Sequence, residues 1–161
     1  MRSHVLLGRA IRFVAVAAAP ATMALGVGSC ASDTSPANQS ETNVAIMRLT
    51  VANQQVTVDQ TGNVTGGPIV LRAGIPASVT AEFLTATGET DPRVVRATYQ
   101  LNGAVEGSEP VTFTRSTTDP FAGTLVCNTP NVNAHVRFSL YNVELQHDTW
   151  GPFEVSISVE Y

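Results

Sequence analysis

The fold of this chain is decided by the stretch FEVSISVEY, residues 153–161, in which apolar and polar side chains alternate strictly. Successive side chains of a β-strand point to opposite faces of its sheet, so this alternation predicts a strand with one buried face and one wet face. The same period of two recurs upstream in VNAHVRFSL, residues 132–140. Both stretches therefore indicate a protein built from half-buried strands.

Alternation with a period of two continues toward the N-terminus as far as about Asn43. Its apolar sets are Met47/Leu49/Val51, Val56/Val58, Val79/Ala81/Phe83, Val95/Ala97/Tyr99/Leu101, Val111/Phe113 and Phe121/Gly123/Leu125/Cys127. Turn residues such as Gly, Pro and Asn separate the sets at the spacing expected of a sandwich. After Leu140 the apolar positions change phase to Val143 and Leu145, which indicates a bulge or the end of that strand. The pattern predicts an all-β domain over residues 43–161, an antiparallel β-sandwich of roughly seven to nine strands.

The size and strand rhythm of residues 43–161 resemble the immunoglobulin-like domains that are common on bacterial surfaces. The resemblance lies in the pattern, because the Cys…Trp…Cys signature of antibody domains is absent from the sequence. It implies two packed sheets. A domain of this size can bury its core without a disulfide, and the chain has only two cysteines, Cys30 and Cys127.

Composition narrows the class of protein further. The chain has 161 residues, of which 43% are hydrophobic and 14% are charged, so it is too apolar for a disordered protein. Its formal net charge is −4, which argues against a nucleic-acid partner because nucleic-acid binding needs a basic face. All nine basic residues are arginines. The absence of lysine excludes mechanisms that need a lysine base or Schiff base.

Charge is divided unevenly between the start of the chain and the rest. Arg2, Arg9 and Arg12 give the first thirty residues a charge of +3, and the six other arginines against thirteen acids give the remainder −7. An apolar stretch over residues 13–27 follows the arginines and leads into Val27-Gly28-Ser29-Cys30. A basic start, an apolar run and small residues at its end are typical of an export signal.

The end of this segment resembles the lipobox of bacterial lipoproteins, which has a branched apolar residue three positions before an invariant Cys. The resemblance implies that residues 1–29 are a signal peptide and that Cys30 becomes the lipidated first residue of the mature chain. An ordinary cleaved signal and a retained N-terminal helix are the alternatives, because uncharged residues from 13 to 32 are about the number needed to span a bilayer. The expected location is the bacterial cell envelope, on the periplasmic or outer-membrane face.

Residues 30–42 predict a tether that follows the lipidated cysteine. The sequence ASDTSPANQSET, residues 31–42, is rich in Ser, Thr, Asn and Pro and has no apolar period. It would hold the folded domain off the membrane, although a terminus without a role would have the same composition.

Catalytic motifs are absent from the sequence, which predicts a protein that is not an enzyme and has no cofactor. There is no Gly-x-Ser-x-Gly elbow, phosphate loop, His-Glu-x-x-His or Cys-x-x-Cys. Cys127 shares its strand face with Phe121 and Leu125, so we expect a buried apolar thiol. A hydrolase stays as an alternative and would require a histidine within hydrogen-bond reach of a Ser, Thr or Cys.

Two groups of polar residues are candidate metal sites. Glu144, His147 and Asp148 lie within five residues and could bind a divalent ion if their loop folds back. Glu89 and Asp91 are a weaker candidate for calcium, since two acids lack a third ligand. A polar hairpin loop without a metal would carry the same residues in both places. We interpret a further acidic pair, Glu106 and Glu109, as part of a solvated turn.

A candidate interaction surface lies on the polar face of the strand over residues 132–141. His135, Arg137 and Tyr141 share that face, and aromatic and Arg side chains are favoured at interfaces. Trp150 is either a cover over one end of the core or a further member of this surface. An alternative is a glycan-binding or small-ligand module in which Trp150, Tyr141 and Tyr99 stack on the ligand. The sequence as a whole predicts a lipid-anchored accessory or structural protein that docks on a protein partner in the envelope.

Overall fold

The computed structural model describes residues Glu41–Tyr161, and within them it contains ten β-strands and no helix long and apolar enough to cross a membrane. The predicted signal peptide, Cys30 and the tether as far as residue 40 lie outside the described residues. The strands are β1 (Ile46–Val51), β2 (Gln54–Asp59), β3 (Val64–Thr65), β4 (Ile69–Arg72), β5 (Ala77–Leu84), β6 (Tyr99–Val105), β7 (Val111–Arg115), β8 (Ala122–Cys127), β9 (Val132–Asn142) and β10 (His147–Glu160).

The strands form two sheets. One has six strands in the order β3-β2-β1-β5-β8-β7, and the other has four in the order β4-β10-β9-β6. All pairs are antiparallel except β4 with β10, which run parallel with Ile69 opposite Ile157. This parallel pair corrects the prediction of a wholly antiparallel sandwich. The strand count exceeds the predicted range because the short strands β3 and β4 carry too few residues for their alternation to be recognised.

The core lies between the two sheets and is filled by the alternating apolar residues. In β10, Val155, Ile157 and Val159 are buried while Glu154 and Ser156 are exposed, as the sequence predicts. The predicted sets of β1, β2, β5 and β8 are also buried. The all-β fold with two sheets around one core is therefore confirmed.

One predicted set is only half right, because Val95 and Ala97 are exposed and β6 begins at Tyr99. The reason is the turn that precedes them. The amide of Val94 donates to the carbonyl of Asp91, and the amides of Thr98 and Tyr99 donate to the carbonyl of Val95. These bonds coil residues 91–98 into turns, so the alternation upstream of Tyr99 does not produce a strand.

Phe113 of β7 packs between two glycines, one from each sheet. A Cβ on Gly123 of β8 would lie 2.4 Å from the Phe113 ring, and a Cβ on Gly103 of β6 would lie at the same distance. The ring also meets Phe138 edge-on, with 5.4 Å between the ring centroids. Both glycines are therefore needed for the aromatic ring to bridge the sheets.

The turn from β2 to β3 is built on one carboxylate. Asp59 accepts hydrogen bonds from the hydroxyl and amide of Thr61 and from the amide of Asn63 at 2.6, 2.8 and 3.0 Å. These bonds, the Thr61 hydroxyl first among them, lower the pKa of the Asp59 carboxyl. The Asp59 carboxylate therefore closes the turn at residues 59–63.

The two ends of the sandwich are formed by different loops. We name the end formed by Glu41, loop 85–98 and turn 143–146 the proximal end, because the described chain begins there. The opposite end, formed by turn 52–53 and loop 106–110, is the distal end. The pairing fixes this assignment, since β6 runs from Tyr99 opposite Asn142 to Val105 opposite Val136.

Candidate functional site

The outer face of the four-stranded sheet carries a cluster of ionisable side chains. His135 and Arg137 alternate with the buried Val136 and Phe138 of β9, so both point away from the core. Their side chains are 46% and 41% exposed, which leaves both within reach of a partner. The structure therefore brings together the first two residues of the predicted interaction surface.

Three carboxylates surround this pair. Glu109 lies 3.6 Å from Nδ1 of His135, and Glu154 lies 3.9 Å from Nε2 of His135 and 3.9 Å from Nε of Arg137. Glu106 forms an ion pair with Nη1 of Arg137. We name these five residues the outer-face cluster. With a neutral imidazole its formal charge is −2, so its field is acidic.

The cluster borders an open depression of about 600 Å³. Its lining mixes the polar side chains of Asn133, His135 and Ser156 with apolar groups of Val64, Ile157 and residues 66–68. Ser156 faces His135 directly across the β9–β10 pair. The depression is wide enough for a small polar ligand, whose donors and acceptors could pair with these side chains.

Tyr141 lies on the same face of β9 but is separated from the cluster. The intervening Ser139 is 2% exposed, and its hydroxyl donates to Oδ1 of Asp148 at 2.6 Å. The predicted row of polar side chains is therefore interrupted at Ser139. Tyr141, which is half-buried, borders the surface on the proximal side of this interruption.

Trp150 does not belong to this surface, contrary to its place in the predicted interaction set. The β9–β10 register shifts on both sides of Trp150, which leaves it 8% exposed within the core and edge-on to Phe153 at 4.5 Å. The alternative interpretation, a cover over one end of the core, is the one that the structure bears out. Tyr99 is also buried, at 5% exposure. The aromatic platform of the glycan hypothesis is therefore not assembled.

The predicted metal ligands Glu144, His147 and Asp148 turn to different partners. Glu144 accepts from the hydroxyl of Thr98 at 3.4 Å, His147 Nε2 lies 3.1 Å from Glu41, and Asp148 accepts from Ser139. Across residues 41–161, no group of three or more His, Cys, Asp or Glu side chains is arranged to hold a metal ion. The strand pairing separates the three because Asp148 faces the outer side of the sheet while the turn holds Glu144 at its end.

The second acidic pair divides into one structural and one exposed carboxylate. Asp91 is 1% exposed and accepts hydrogen bonds from the amides of Asn43 and Arg93, whereas Glu89 is exposed. Asp91 thus ties the start of the domain to loop 85–98. Its lone pairs are engaged by protein donors, which does not fit the predicted calcium site.

Cys127 is buried at 1% exposure, as predicted, and its thiol donates to the carbonyl of Thr129 at 3.3 Å. The two histidines of the domain lie beside carboxylates, His135 near Glu109 and Glu154 and His147 near Glu41. Ser156 also lies opposite His135 in the β9–β10 pairing, so the hydroxyl nearest to this histidine in the strand register belongs to a neighbouring strand.

Glu41 fixes the beginning of the described chain at the proximal end. Its carboxylate accepts from Asn142 Nδ2 and Thr149 Oγ1, both at 3.2 Å, in addition to its contact with His147. Its backbone carbonyl accepts from the hydroxyl of Tyr99 at 3.5 Å. Burial, and then the charge of Glu41, raise the pKa of Tyr99. Glu41 is therefore held to the folded domain by contacts with both β9 and β10.

Sequence reasoning missed the part that Glu106, Glu109 and Glu154 play in the cluster. Glu106 and Glu109 follow β6, and Glu154 is one of several exposed residues of β10. Their approach to His135 and Arg137 depends on β9 lying between β6 and β10, which no local pattern encodes. The one sequence signal for this contact was the position of Glu154 among the alternating polar residues of its strand.

Comparison of the chain with protein-family models, curated proteins and solved structures finds no match.

Proposed function

We propose that this chain is a lipid-anchored bacterial envelope protein whose immunoglobulin-like domain binds a protein partner through the outer-face cluster. It works as a non-enzymatic accessory or structural subunit on the periplasmic or outer-membrane face. The observation that carries the proposal is the placement of the cluster relative to Glu41. His135 lies seven residues along β9 from Asn142, the partner of Glu41, which is about 23 Å at the rise of a β-strand.

This separation suits a domain that is held at one end and binds at the other. A tether that ends at Glu41 would leave the proximal end nearest the membrane. The cluster lies toward the distal half of the sheet, because Glu106 and Glu109 belong to the loop at that end. A partner could therefore reach the cluster without meeting the anchor.

The strand order supports the immunoglobulin-like part of the proposal. In immunoglobulin constant-type domains the first, second, fifth and fourth strands form one sheet and the third, sixth and seventh form the other. Without β2, β3 and β4, this chain has β1-β5-β8-β7 in one sheet and β6-β9-β10 in the other. The three additional strands extend the edges of this arrangement.

The charge of the cluster indicates the chemistry of the partner. Three carboxylates outnumber Arg137, so a partner surface with basic side chains would be attracted and correctly oriented. Surface ion pairs contribute at most about 1 kcal/mol to folding, so charges of the cluster can be exchanged without unfolding the domain. Binding and stability are therefore separable at this site.

We expect Glu154→Lys to reduce capture of the partner at least tenfold, because the new positive charge would repel a basic surface. The measurement is cross-linking of the full chain in its native membrane, followed by quantitative mass spectrometry of the captured protein. Glu82→Lys is the matched control. Glu82 pairs with Arg48 across the outer face of the other sheet at 2.9 Å, as Glu154 pairs with Arg137. Equal capture by both variants would contradict docking at the cluster.

Lipidation at Cys30 has its own expected result. Intact-mass analysis of membrane-extracted protein should give a chain that begins at Cys30 and carries additional acyl mass. Cys30→Ser should abolish the acylated species, since the thiol is the acyl acceptor that the lipobox resemblance implies. A membrane form that retains Met1 would instead indicate a transmembrane anchor.

A small-ligand module is the second candidate function, favoured by the depression beside His135. Its volume of about 600 Å³ lies within the range of ligand pockets. The capture experiment distinguishes the two functions, because a small ligand would leave no cross-linked protein that depends on Glu154.

A further inference from the structure

Among the described residues, three large exposed apolar side chains lie at the proximal end of the domain, and two others, Ile75 and Tyr161, lie at the distal end. In the described part of the chain, five large apolar residues are exposed, and three of them, Val95, Val143 and Leu145, belong to loop 85–98 and turn 143–146. Leu145 is 57% exposed and Val95 48%. A turn tip would ordinarily carry polar residues, so this composition calls for a physical reason.

The turn is held rigidly in a position that exposes these side chains. Oδ1 of Asn142 accepts the amides of Glu144 and Leu145, both at 3.0 Å, and the amide of Val143 donates to the carbonyl of Thr98 at 2.9 Å. The same Asn142 donates through Nδ2 to Glu41. One side chain therefore fixes both the apolar turn and the point where the chain joins the domain.

We infer that the proximal end rests on the lipid surface and places Leu145 and Val143 in the interfacial region of the bilayer. The inference rests on the proposed anchor at Cys30. Ten residues lie between Cys30 and Glu41, and a coil of that length would span about 20 Å. A tether this short keeps the proximal end close to the membrane, where burial of aliphatic side chains is favourable.

The charges around the apolar side chains indicate which lipids suit this surface. Glu89 and Glu144 are exposed at the same end, along with Arg93 and Arg96. Arg96 is already paired with Asp119. This end of the domain therefore carries no excess of basic charge. We expect it to contact zwitterionic lipid, and anionic lipid should not strengthen the contact.

Position 145 can be compared with a matched position at the distal end. Ile75 is 54% exposed, close to the exposure of Leu145, and follows Arg72, whose carbonyl accepts its amide. In full-length acylated protein, Leu145→Cys and Ile75→Cys would each be labelled with an environment-sensitive dye. Cys127 is buried and does not compete for the label. The proteins would be reconstituted in phosphatidylcholine vesicles with brominated acyl chains.

We expect a blue shift and strong quenching by the brominated lipid at position 145 and neither effect at position 75. Equal quenching at the two positions, or a dye at 145 that stays fully hydrated, would overturn the inference while leaving the anchor intact. A blue shift without quenching would overturn it in favour of a protein that covers the turn. A membrane-extracted chain without acyl mass on Cys30 would overturn the proposed anchor and this inference with it.

Discussion

Substitution of Gly123 by alanine is expected to lower the free energy of unfolding by about 3 kcal/mol, at the upper end of the usual cost of overpacking a core. The added Cβ would lie 2.4 Å from the Phe113 ring and 2.8 Å from the backbone carbonyl oxygen of Thr114. A ring can move, but the carbonyl belongs to the paired strand β7, so part of the strain cannot be relieved by a rotamer change. Urea denaturation of the domain measures the loss.

Because of the strain at Phe113, we also expect the effects of Gly123→Ala and Phe113→Leu on the free energy of unfolding to be non-additive. Phe113→Leu removes the ring that the new methyl group would meet, so the double variant should be more stable than the sum of the two single effects. Gly67→Ala is the control, because its Cβ would meet Val56 at 3.7 Å, an ordinary contact. Full additivity of the pair, or a stable Gly123→Ala, would show that the ring does not bridge the sheets as described.

Asp91→Ala should lower the free energy of unfolding by about 2–3 kcal/mol, because it leaves buried amide donors without the carboxylate that accepts their hydrogen bonds. The Asp91 side chain is fully buried, accepts the amides of Asn43 and Arg93, and lies 3.6 Å from Nε of Arg93. The loss should therefore be accompanied by faster hydrogen exchange at the amide of Asn43, as the first residues of the domain detach. Thermal denaturation and site-resolved exchange measure the two effects.

Glu89→Ala provides the comparison for Asp91. Glu89 lies two residues away and is exposed, so its replacement should change stability by less than about 0.5 kcal/mol. If the two variants were equally stable, or if exchange at Asn43 were unchanged in Asp91→Ala, the carboxylate would not be the tie between the domain start and loop 85–98.

The buried faces of most strands were predictable from the sequence because burial on one face of a sheet imposes a period of two on the side chains. Val155, Ile157 and Val159 show this clearly. The pattern failed at Val95, where hydrogen bonds between near neighbours made turns out of an apparently alternating stretch. It also could not show on which side of the sheet Trp150 would lie, because two register shifts flank that residue.

The candidate site was predictable only in part. His135 and Arg137 were identifiable because their face of β9 is polar, but their carboxylate partners come from two other places in the chain, the loop after β6 and strand β10. Strand order brings these residues together, and strand order follows from the packing of the whole domain. The same limit explains why the predicted metal ligands do not come together, because sequence neighbours such as His147 and Asp148 point to opposite faces of their strand.

The position of β10 has a consequence for the order in which the two sheets can form as the chain is synthesised. This last described strand lies inside the four-stranded sheet, between β4 and β9. Until β10 has been synthesised, β4 lacks its partner in that sheet and one edge of β9 is unpaired. An emerging chain therefore cannot complete its native sheet early, and contacts between distant residues form slowly. The four-stranded sheet can therefore close only once the last described strand of the chain is available to pair with both β4 and β9.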